Sequence, residues 1–214
     1  MKDKICYIFG AGDFSNQPSN KFSEEDLIIA ADGGYDHCRK IAIKPDIYIG
    51  DSDSVSDTAL IESAEKFYLP TEKDETDTLA AVKIGADRGY KRFCIYGGMG
   101  GRFSHSVANL QVLAFLAEKN MQGFLFSKDC ICTVIKDTDI FYDSSCKGYI
   151  SIFSFSDSAE GVTIKGLKYE TDSITLSNTF PLGISNEFTG KKAEISVKKG
   201  FLLIICNYLP AETK

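Results

Sequence analysis

The chain has 214 residues, of which 43% are hydrophobic and 25% are charged, and its formal net charge is -6 at pH 7. This composition is typical of a globular protein with a buried core and excludes a disordered or fibrous chain. The negative charge disfavours binding to a phosphate backbone, so we expect no nucleic-acid partner.

The sequence contains no segment suited to a membrane or to export. The apolar run that ends at Gly10 is too short for the hydrophobic part of a secretory signal. No run approaches the ~20 apolar residues that span a bilayer. The seven cysteines are scattered and form no Cys-x-x-Cys pair, so we interpret them as reduced core residues rather than a disulfide or zinc framework. We therefore expect a cytoplasmic protein with no membrane partner.

Residues 1–128 alternate apolar strands with segments of helical period. Short apolar runs ended by Gly, Pro, Asp or Ser predict strands over 5–10, 27–31, 47–50, 67–69, 93–97 and 124–126. Helices are predicted from Thr78 to Arg88, after an acidic first turn, and from His105 to Lys119. This alternation predicts a mostly parallel sheet with helices packed on its faces.

Residues 129–214 have a different pattern, with short strands separated by turn residues and no long helical stripe. Strands are predicted over 131–135, 140–142, 149–155, 162–164, 174–176, 193–197 and 201–206. The sequence thus predicts an α/β domain over 1–128 followed by an all-β domain over 129–214, either a sandwich or a half-barrel.

Acidic residues follow several of the predicted strands. Asp32 follows the second strand, Asp51 and Asp53 follow the third, and Asp77 stands at a helix start. Because ligands of open α/β sheets bind beyond the carboxyl ends of the strands, we expect these side chains to converge. Carboxylates held together without basic partners need a cation, and Mg²⁺ prefers oxygen ligands and bridges them to substrate phosphates. The sequence therefore predicts a magnesium site at this edge.

A glycine-rich loop, Gly97-Gly-Met-Gly-Gly-Arg102, follows the fifth predicted strand and leads into the helix at His105. Backbone N–H groups of such a turn bind anions, and an arginine fork adds bidentate phosphate contacts. Taken alone the loop is a weak signal, since it matches neither a dinucleotide fingerprint nor a Walker A loop. Facing an acidic, metal-binding edge, it is typical of phosphoryl-type transfer, which needs positioning and charge neutralisation.

Five segments resemble, in order and over nearly the full length, motifs of the thiamine pyrophosphokinase family. They are Ala31-Asp-Gly-Gly34, the segment 45–54, the segment 71–77, Gly97–Arg102 with His105 and the segment 108–110, and the segment 185–187. The resemblance implies an N-terminal α/β domain that binds ATP and magnesium, and a C-terminal β-sandwich that binds thiamine. It also implies a homodimer whose thiamine sites form between the α/β domain of one subunit and the sandwich of the other.

The resemblance also implies roles for individual residues, with thiamine and ATP as substrates and Mg²⁺ as cofactor. Catalysis is expected to involve Asp51, Asp53, Asp77 and Arg102. The metal is expected to bind Asp32, Asp51, Asp53 and Asp77. The nucleotide is expected to contact Asp32, Gly33, Lys73, Thr76, Gly100, Gly101, Arg102 and His105, and thiamine is expected to contact Ser185 and Asn186.

One position departs from the family pattern. Ser104 stands where the family usually has an aspartate, immediately before His105. A serine can cap a helix that begins there, but it cannot supply a charge to a nucleotide or metal.

Two other functions remain open on the residues alone. The segment Asp51-Ser-Asp-Ser-Val55 after an apolar strand also suits an aspartate-dependent phosphohydrolase, which works through an aspartyl-phosphate. That function leaves the motif at Asp32 and the Gly97–Arg102 loop without a role. An inactive homologue that only binds a nucleotide is the second, and Ser104 is its best support.

Overall fold

The structure, a computed structural model, describes residues 4–15, 17–18, 22–50, 64–68 and 75–207. The chain divides into two compact units, of which the first comprises Met1–Leu113 and Met121–Lys128 and the second comprises Ala114–Asn120 and Asp129–Lys214. Within the described ranges, no helix is long and apolar enough to cross a membrane.

The first unit is built on a parallel sheet whose strands have the order β6-β5-β1-β2-β3-β4. Its short, mostly apolar strands are bounded by polar residues and glycines, as buried parallel strands commonly are. They are β1 Ile5–Phe9, β2 Leu27–Ala31, β3 Ile47–Gly50, β4 Glu65–Tyr68, β5 Arg92–Tyr96 and β6 Gln122–Phe126. The helices are α1 Gly34–Lys40, α2 Asp77–Asp87 and α3 Phe103–Glu118.

Helices cover both faces of this sheet. On one face, Tyr7 and Phe9 of β1 belong to the same buried cluster as Cys38 of α1. On the other face, Gly85 of α2 lies so close to β1 that an added Cβ would be 2.8 Å from Cys6 Sγ. Successive residues of β1 therefore pack against different helices, which buries the strand on both sides.

The second unit is a sandwich of two antiparallel sheets. One has the order β12-β9-β14-β7 and the other has the order β11-β10-β13-β8. Buried side chains from both sheets, such as Ile152 and Ile204 from the first and Val162 and Ile195 from the second, form one apolar core. The strands are β7 Cys130–Lys136, β8 Asp139–Tyr142, β9 Tyr149–Ser154, β10 Ser158–Lys165, β11 Thr171–Ser177, β12 Asn186–Glu187, β13 Ala193–Ser196 and β14 Phe201–Asn207.

The predicted fold class, an α/β sheet domain followed by an all-β sandwich, is confirmed. Each predicted strand corresponds to an observed one, but α1 and β12 were not predicted. The first residue of α1 is Gly34 and no side chain caps the helix, so the usual start signals are missing. The third helix begins at Phe103, two residues before the predicted start, and Ser104 therefore lies within its first turn rather than before it.

The contact between α1 and β1 generates a stability prediction. A Cβ at Gly34 would be 1.8 Å from the carbonyl oxygen of Phe9, whereas a Cβ at Gly101 would have nothing within 4 Å. A substitution of glycine by alanine within a helix normally raises the free energy of unfolding by ~0.5–1 kcal/mol. We expect Gly34→Ala instead to lower the free energy of unfolding by at least ~2 kcal/mol, because the clashing atom belongs to the backbone. Urea unfolding with Gly101→Ala as the matched control measures this, and equal stability of the two variants would contradict it.

Candidate active site

A cavity of about 490 Å³ lies beyond the carboxyl ends of the strands of the first unit. Its walls come from the loops after β1, β2 and β5 and from the first turns of α2 and α3. The lining residues are Gly10, Ala11, Gly12, Ala31, Asp32, Glu75, Thr76, Asp77, Thr78, Gly97, Gly98, Met99, Gly101, Arg102, His105, Ser106 and Asn109.

The position of the cavity follows from the strand order. From β1 the chain proceeds through β2 and β3 to β4 on one side, while β5 and β6 lie on the other side of β1. In open α/β sheets, ligands bind at such a reversal, outside the carboxyl ends of the two central strands. The loops after β1 and β5 are therefore expected to form the centre of the site, and both line the cavity.

Backbone hydrogen bonds join these two loops. The amide of Gly10 donates to the Tyr96 carbonyl at 2.8 Å, and the amide of Gly12 donates to the Gly97 carbonyl at 2.7 Å. Glycine is required at position 12, since a Cβ there would be 2.3 Å from the carbonyl oxygen of Met99. The two loops thus form a single backbone surface along one wall of the cavity.

A buried histidine of α1 contacts the loop after β1. The ring of His37 stacks on Phe14, with 4.7 Å between centroids and 16° between planes. Its Nε2 atom lies 2.8 Å from the carbonyl oxygen of Gly12. Because a carbonyl only accepts, Nε2 carries the hydrogen and donates it.

Two aspartates reach the cavity from different elements. Asp32 has a left-handed backbone, with φ of 50°, and its amide donates to the Ile49 carbonyl at 2.7 Å. Aspartate tolerates this region better than most residues, and such backbone strain is concentrated at functional sites. Asp77 is the first residue of α2, where the helix dipole favours a negative charge. Both residues are half-buried.

The hydroxyl of Thr76 has a structural role at the start of α2. Its Oγ1 atom accepts a hydrogen bond from the amide of Leu79 at 3.2 Å, which makes Thr76 the N-cap of the helix. A threonine hydroxyl also carries one hydrogen of its own, so the cap leaves that donor available to a ligand. The neighbouring Glu75 forms an ion pair with Lys83.

The basic part of the lining comes from the start of α3. The guanidinium of Arg102 contacts Nε2 of His105, and because arginine only donates, that nitrogen accepts. Buried Asn109 donates from Nδ2 to the Gly98 carbonyl at 2.6 Å and so fixes the loop after β5. Arg102 therefore faces the cavity beside the glycine-rich backbone that the sequence associates with phosphate.

Oxygen ligands for a divalent cation are present in the described part of this site. Asp32 and Asp77 line the same cavity, and among described residues the carboxylate of Asp32 makes no ion pair or hydrogen bond. Hard carboxylate oxygens fit Mg²⁺. No group of three or more His, Cys, Asp or Glu side chains that could hold a metal ion occurs within the described ranges, and Asp51 and Asp53 lie outside them.

The structure brings together most of the residues that were predicted to bind the nucleotide or the metal, or to act in catalysis. Those lining the cavity are Asp32, Thr76, Asp77, Gly101, Arg102 and His105. Gly33 and Gly100 do not line it but lie against the loop after β1, since an added Cβ would be 3.0 Å from Ala11 Cβ and 2.4 Å from Asp13 Cβ respectively. The predicted residues Asp51, Asp53 and Lys73 lie outside the described residues.

The loop after β1 lines the cavity, as do Glu75 and Ser106, and none of these was predicted from the sequence. The segment Gly10-Ala-Gly12 follows a clear strand, and a glycine pair at the end of the first strand of an α/β sheet is the signal that could have identified it.

The two predicted thiamine contacts lie in the second unit and differ in their surroundings. Ser185 is exposed, has a left-handed φ of 57°, and its amide donates to Ser151 Oγ at 3.1 Å. Asn186 is buried, and its side chain makes hydrogen bonds to both the amide and the carbonyl of Tyr169, at 2.9 and 2.8 Å. Asn186 therefore holds the chain in place, while Ser185 is accessible.

Two family models match the chain. The catalytic domain of thiamin pyrophosphokinase matches residues 19–125, and the vitamin B1 binding domain of thiamin pyrophosphokinase matches residues 137–202. A thiamine pyrophosphokinase of Bacillus subtilis is 30% identical over 190 residues, covering 85% of this chain and 87% of that protein. Thiamine pyrophosphokinase 2 of Oryza sativa subsp. japonica is 24% identical over 208 residues, covering 91% and 74%.

Solved structures show the same fold. The crystal structure of thiamine pyrophosphokinase from Bacillus subtilis superposes with a TM-score of 0.87 at 24% identity, covering 97% of this chain and 100% of that one. The structure of yeast thiamin pyrophosphokinase gives a TM-score of 0.74 at 19% identity, covering 97% and 87%.

The burial of His37 generates a prediction about pH. Burial lowers the pKa of His37 below its ordinary value of 6.5; Lys40 also lowers it, while the hydrogen bond to Gly12 and the charges of Asp36 and Asp13 raise it. The folded state therefore binds this proton less readily than the unfolded state, so stability is full above pH ~6.5 and is lost as the pH falls toward the folded-state pKa. Urea unfolding at pH 7.5 and 5.5 should show a larger loss for the wild type than for His37→Gln. Equal losses would contradict this.

Proposed function

The chain belongs to the thiamin pyrophosphokinase family, and we propose that it transfers the terminal pyrophosphoryl group of ATP to the hydroxyl of thiamine. The reaction is magnesium-dependent and gives thiamine diphosphate and AMP. The thiamine oxygen forms a bond to the β-phosphorus, the bond from that phosphorus to the oxygen bridging it to the α-phosphorus breaks, and AMP leaves with this oxygen. The hydroxyl proton passes to a carboxylate of the site.

One observation carries this proposal more than any other. A single cavity of the first unit combines carboxylates, an arginine and the backbone of two glycine-containing loops. Phosphoryl-type transfer requires little covalent chemistry from the protein and depends on positioning and on neutralising the phosphate charge. These residue types are the ones that supply both.

We assign magnesium to the acidic side of the cavity. Asp32 and Asp77 would hold it together with Asp51 and Asp53, which follow β3 in the sequence. When bound, the ion would supply positive charge that neutralises the substrate phosphates beside these carboxylates. An ionised carboxylate of this group accepts the thiamine proton.

We assign the ATP phosphates to the opposite side. Arg102 donates to phosphate oxygens from its guanidinium, and Thr76 donates the hydrogen that its capping role leaves unused. The backbone can approach the nucleotide closely at Gly33, Gly100 and Gly101, which have no side chain. His105 orients Arg102 by accepting a hydrogen bond from it. Lys73, four residues before Asp77, is assigned to the same nucleotide.

We assign ATP and magnesium to residues 1–128, and thiamine binding and dimerisation to residues 129–214. In the second unit, the exposed side chains of Phe180, Leu182 and Ile184 immediately precede exposed Ser185. Exposed apolar residues grouped in this way favour a protein interface. We therefore propose a homodimer in which Ser185 contacts thiamine bound by the partner's acidic residues, and Asn186 maintains the loop.

We place the enzyme in the cytoplasm, with no nucleic-acid or membrane partner. The seven cysteines are present as thiols, and thiols suit a reducing compartment. The phosphohydrolase and the inactive homologue are not retained, because the comparisons support neither.

The proposal predicts both a product and the residues needed to form it. Incubation of the purified chain with Mg-ATP and thiamine should yield thiamine diphosphate and AMP in equal amounts, measured by mass spectrometry. Asp51→Asn and Asp53→Asn should each reduce the rate by at least ~100-fold, because each removes a carboxylate that would hold the ion that neutralises the phosphate charge. Asp87→Asn, at the far end of α2, is the control. Full activity of both variants would remove them from the metal site, and no product from the wild type would refute the function.

The composite site predicts complementation between variants. A Ser185→Trp variant blocks the thiamine side and an Asp53→Asn variant blocks the phosphate side, so each homodimer should be inactive. Mixing the two should restore up to about a quarter of the wild-type sites, because a random mixture is half heterodimers and each heterodimer carries one intact site. Subunits should be exchanged in mild denaturant before the assay. A monomer in sedimentation, or no recovery despite demonstrated exchange, would contradict the dimer.

A further inference from the structure

We propose that His37 is a positioning residue that fixes the loop Gly10–Gly12 as a phosphate-binding segment of the cavity. The ligand is the phosphate chain of the nucleotide. This inference rests on the proposed function, because it concerns the same reaction, but it adds a loop and a residue to which neither the family resemblance nor the comparisons assign a role.

Gly12 makes a hydrogen bond on each side of the loop. Its amide donates to the Gly97 carbonyl at 2.7 Å, and its carbonyl accepts from His37 at 2.8 Å. The residue is therefore held from both sides, by the loop after β5 and by α1. Glycine has more backbone freedom than any other residue, so a loop with glycines at positions 10 and 12 depends on such contacts for a fixed shape.

The surroundings of His37 make it a rigid donor. The side chain is only 8% exposed and is stacked on Phe14. Nδ1 is buried without a hydrogen-bond partner among the described residues. A hydrogen on Nδ1 would therefore be buried without an acceptor, which is costly, so the ring is neutral and carries its hydrogen on Nε2.

Helix α1 cannot easily move away from the loop. Gly34, at its first position, lies so close to β1 that an added Cβ would be 1.8 Å from the Phe9 carbonyl oxygen. Cys38, one residue after His37, is fully buried in the cluster between helix and sheet. The packing of α1 therefore fixes the position of the imidazole. The imidazole in turn holds Gly12 through the hydrogen bond to its carbonyl.

The loop held in this way has one amide left for a ligand. The amides of Gly10, Gly12 and Asp13 donate to carbonyls of the segment Tyr96–Met99. Ala11 lies between them, is exposed and lines the cavity. Among the described residues, no acceptor is found for its amide. A backbone N–H fixed at the carboxyl end of a central strand is suited to an anion, and in this cavity the anion is a phosphate.

The expected effect of removing the His37 donor depends on how well the loop is ordered before the nucleotide binds. A phosphate that binds a fixed amide gains the full interaction, whereas one that must first order the loop loses part of it. Loss of the His37 donor should therefore weaken nucleotide binding without affecting thiamine. Two substitutions separate the donor from the packing: His37→Phe keeps a stacked ring without a donor, and His37→Gln keeps a donor near the position of Nε2.

The experiment compares Michaelis constants for both substrates in the wild type, His37→Phe, His37→Gln and a control, Cys38→Ala. The control removes buried volume from the same helix turn without touching the loop, so it should lower the melting temperature and leave both constants unchanged. We expect His37→Phe to raise the constant for ATP about tenfold and to leave that for thiamine unchanged, and we expect His37→Gln to remain within about threefold of the wild type.

Inhibition constants identify the part of the nucleotide concerned. His37→Phe should weaken inhibition by tripolyphosphate in parallel with the ATP constant and should leave inhibition by adenosine unchanged. An unchanged ATP constant in an active His37→Phe variant would overturn the inference, as would weaker adenosine inhibition alone or an equal effect of Cys38→Ala. Absence of product from the wild type would instead refute the proposed function, so the two failures are distinguishable.

Discussion

The hydrogen bonds between the loops after β1 and β5 are the constraint on which the rest of the site depends. They join two strands at the point where the order of the parallel sheet reverses. Because these strands are neighbours in space but distant in sequence, their loops can form one surface only after the sheet has assembled. The elements that carry Asp32, Asp77 and Arg102 surround this surface. They bring two carboxylates and a guanidinium to the same cavity. The site therefore exists only in the folded sheet.

The shape of the site depends on glycines at close backbone contacts and on an aspartate with a left-handed backbone. At Gly12 and Gly34 the backbone of one element approaches that of another more closely than any Cβ would allow. Asp32 accepts an unfavourable φ of 50° at the end of β2, which places a carboxylate at the edge of the sheet. The backbone at these positions is therefore constrained or strained. Such strain is concentrated at functional sites.

The sequence predicted much of this unit, and the reasons for success and failure are physical. The buried strands β2 and β3 are short apolar runs with clear ends, so their bounds were predicted as observed. Helix α1 was missed because it begins with a glycine and is held by tertiary packing rather than by caps. The role of the Gly10–Gly12 loop was missed for a related reason, since it depends on a strand order and on a His37 contact that no local pattern encodes. Asn186 was predicted to contact a ligand, and only the structure shows that its amide is committed to Tyr169.

In the proposed reaction the pyrophosphoryl group is transferred intact, with both phosphorus atoms moving together. The most direct measurement uses ATP labelled at its β-phosphorus, incubated with magnesium, thiamine and the purified chain. Intact transfer predicts that the label appears in thiamine diphosphate as ATP is consumed, and that the amount of thiamine diphosphate equals that of AMP. Label recovered in ADP or in inorganic phosphate would contradict it.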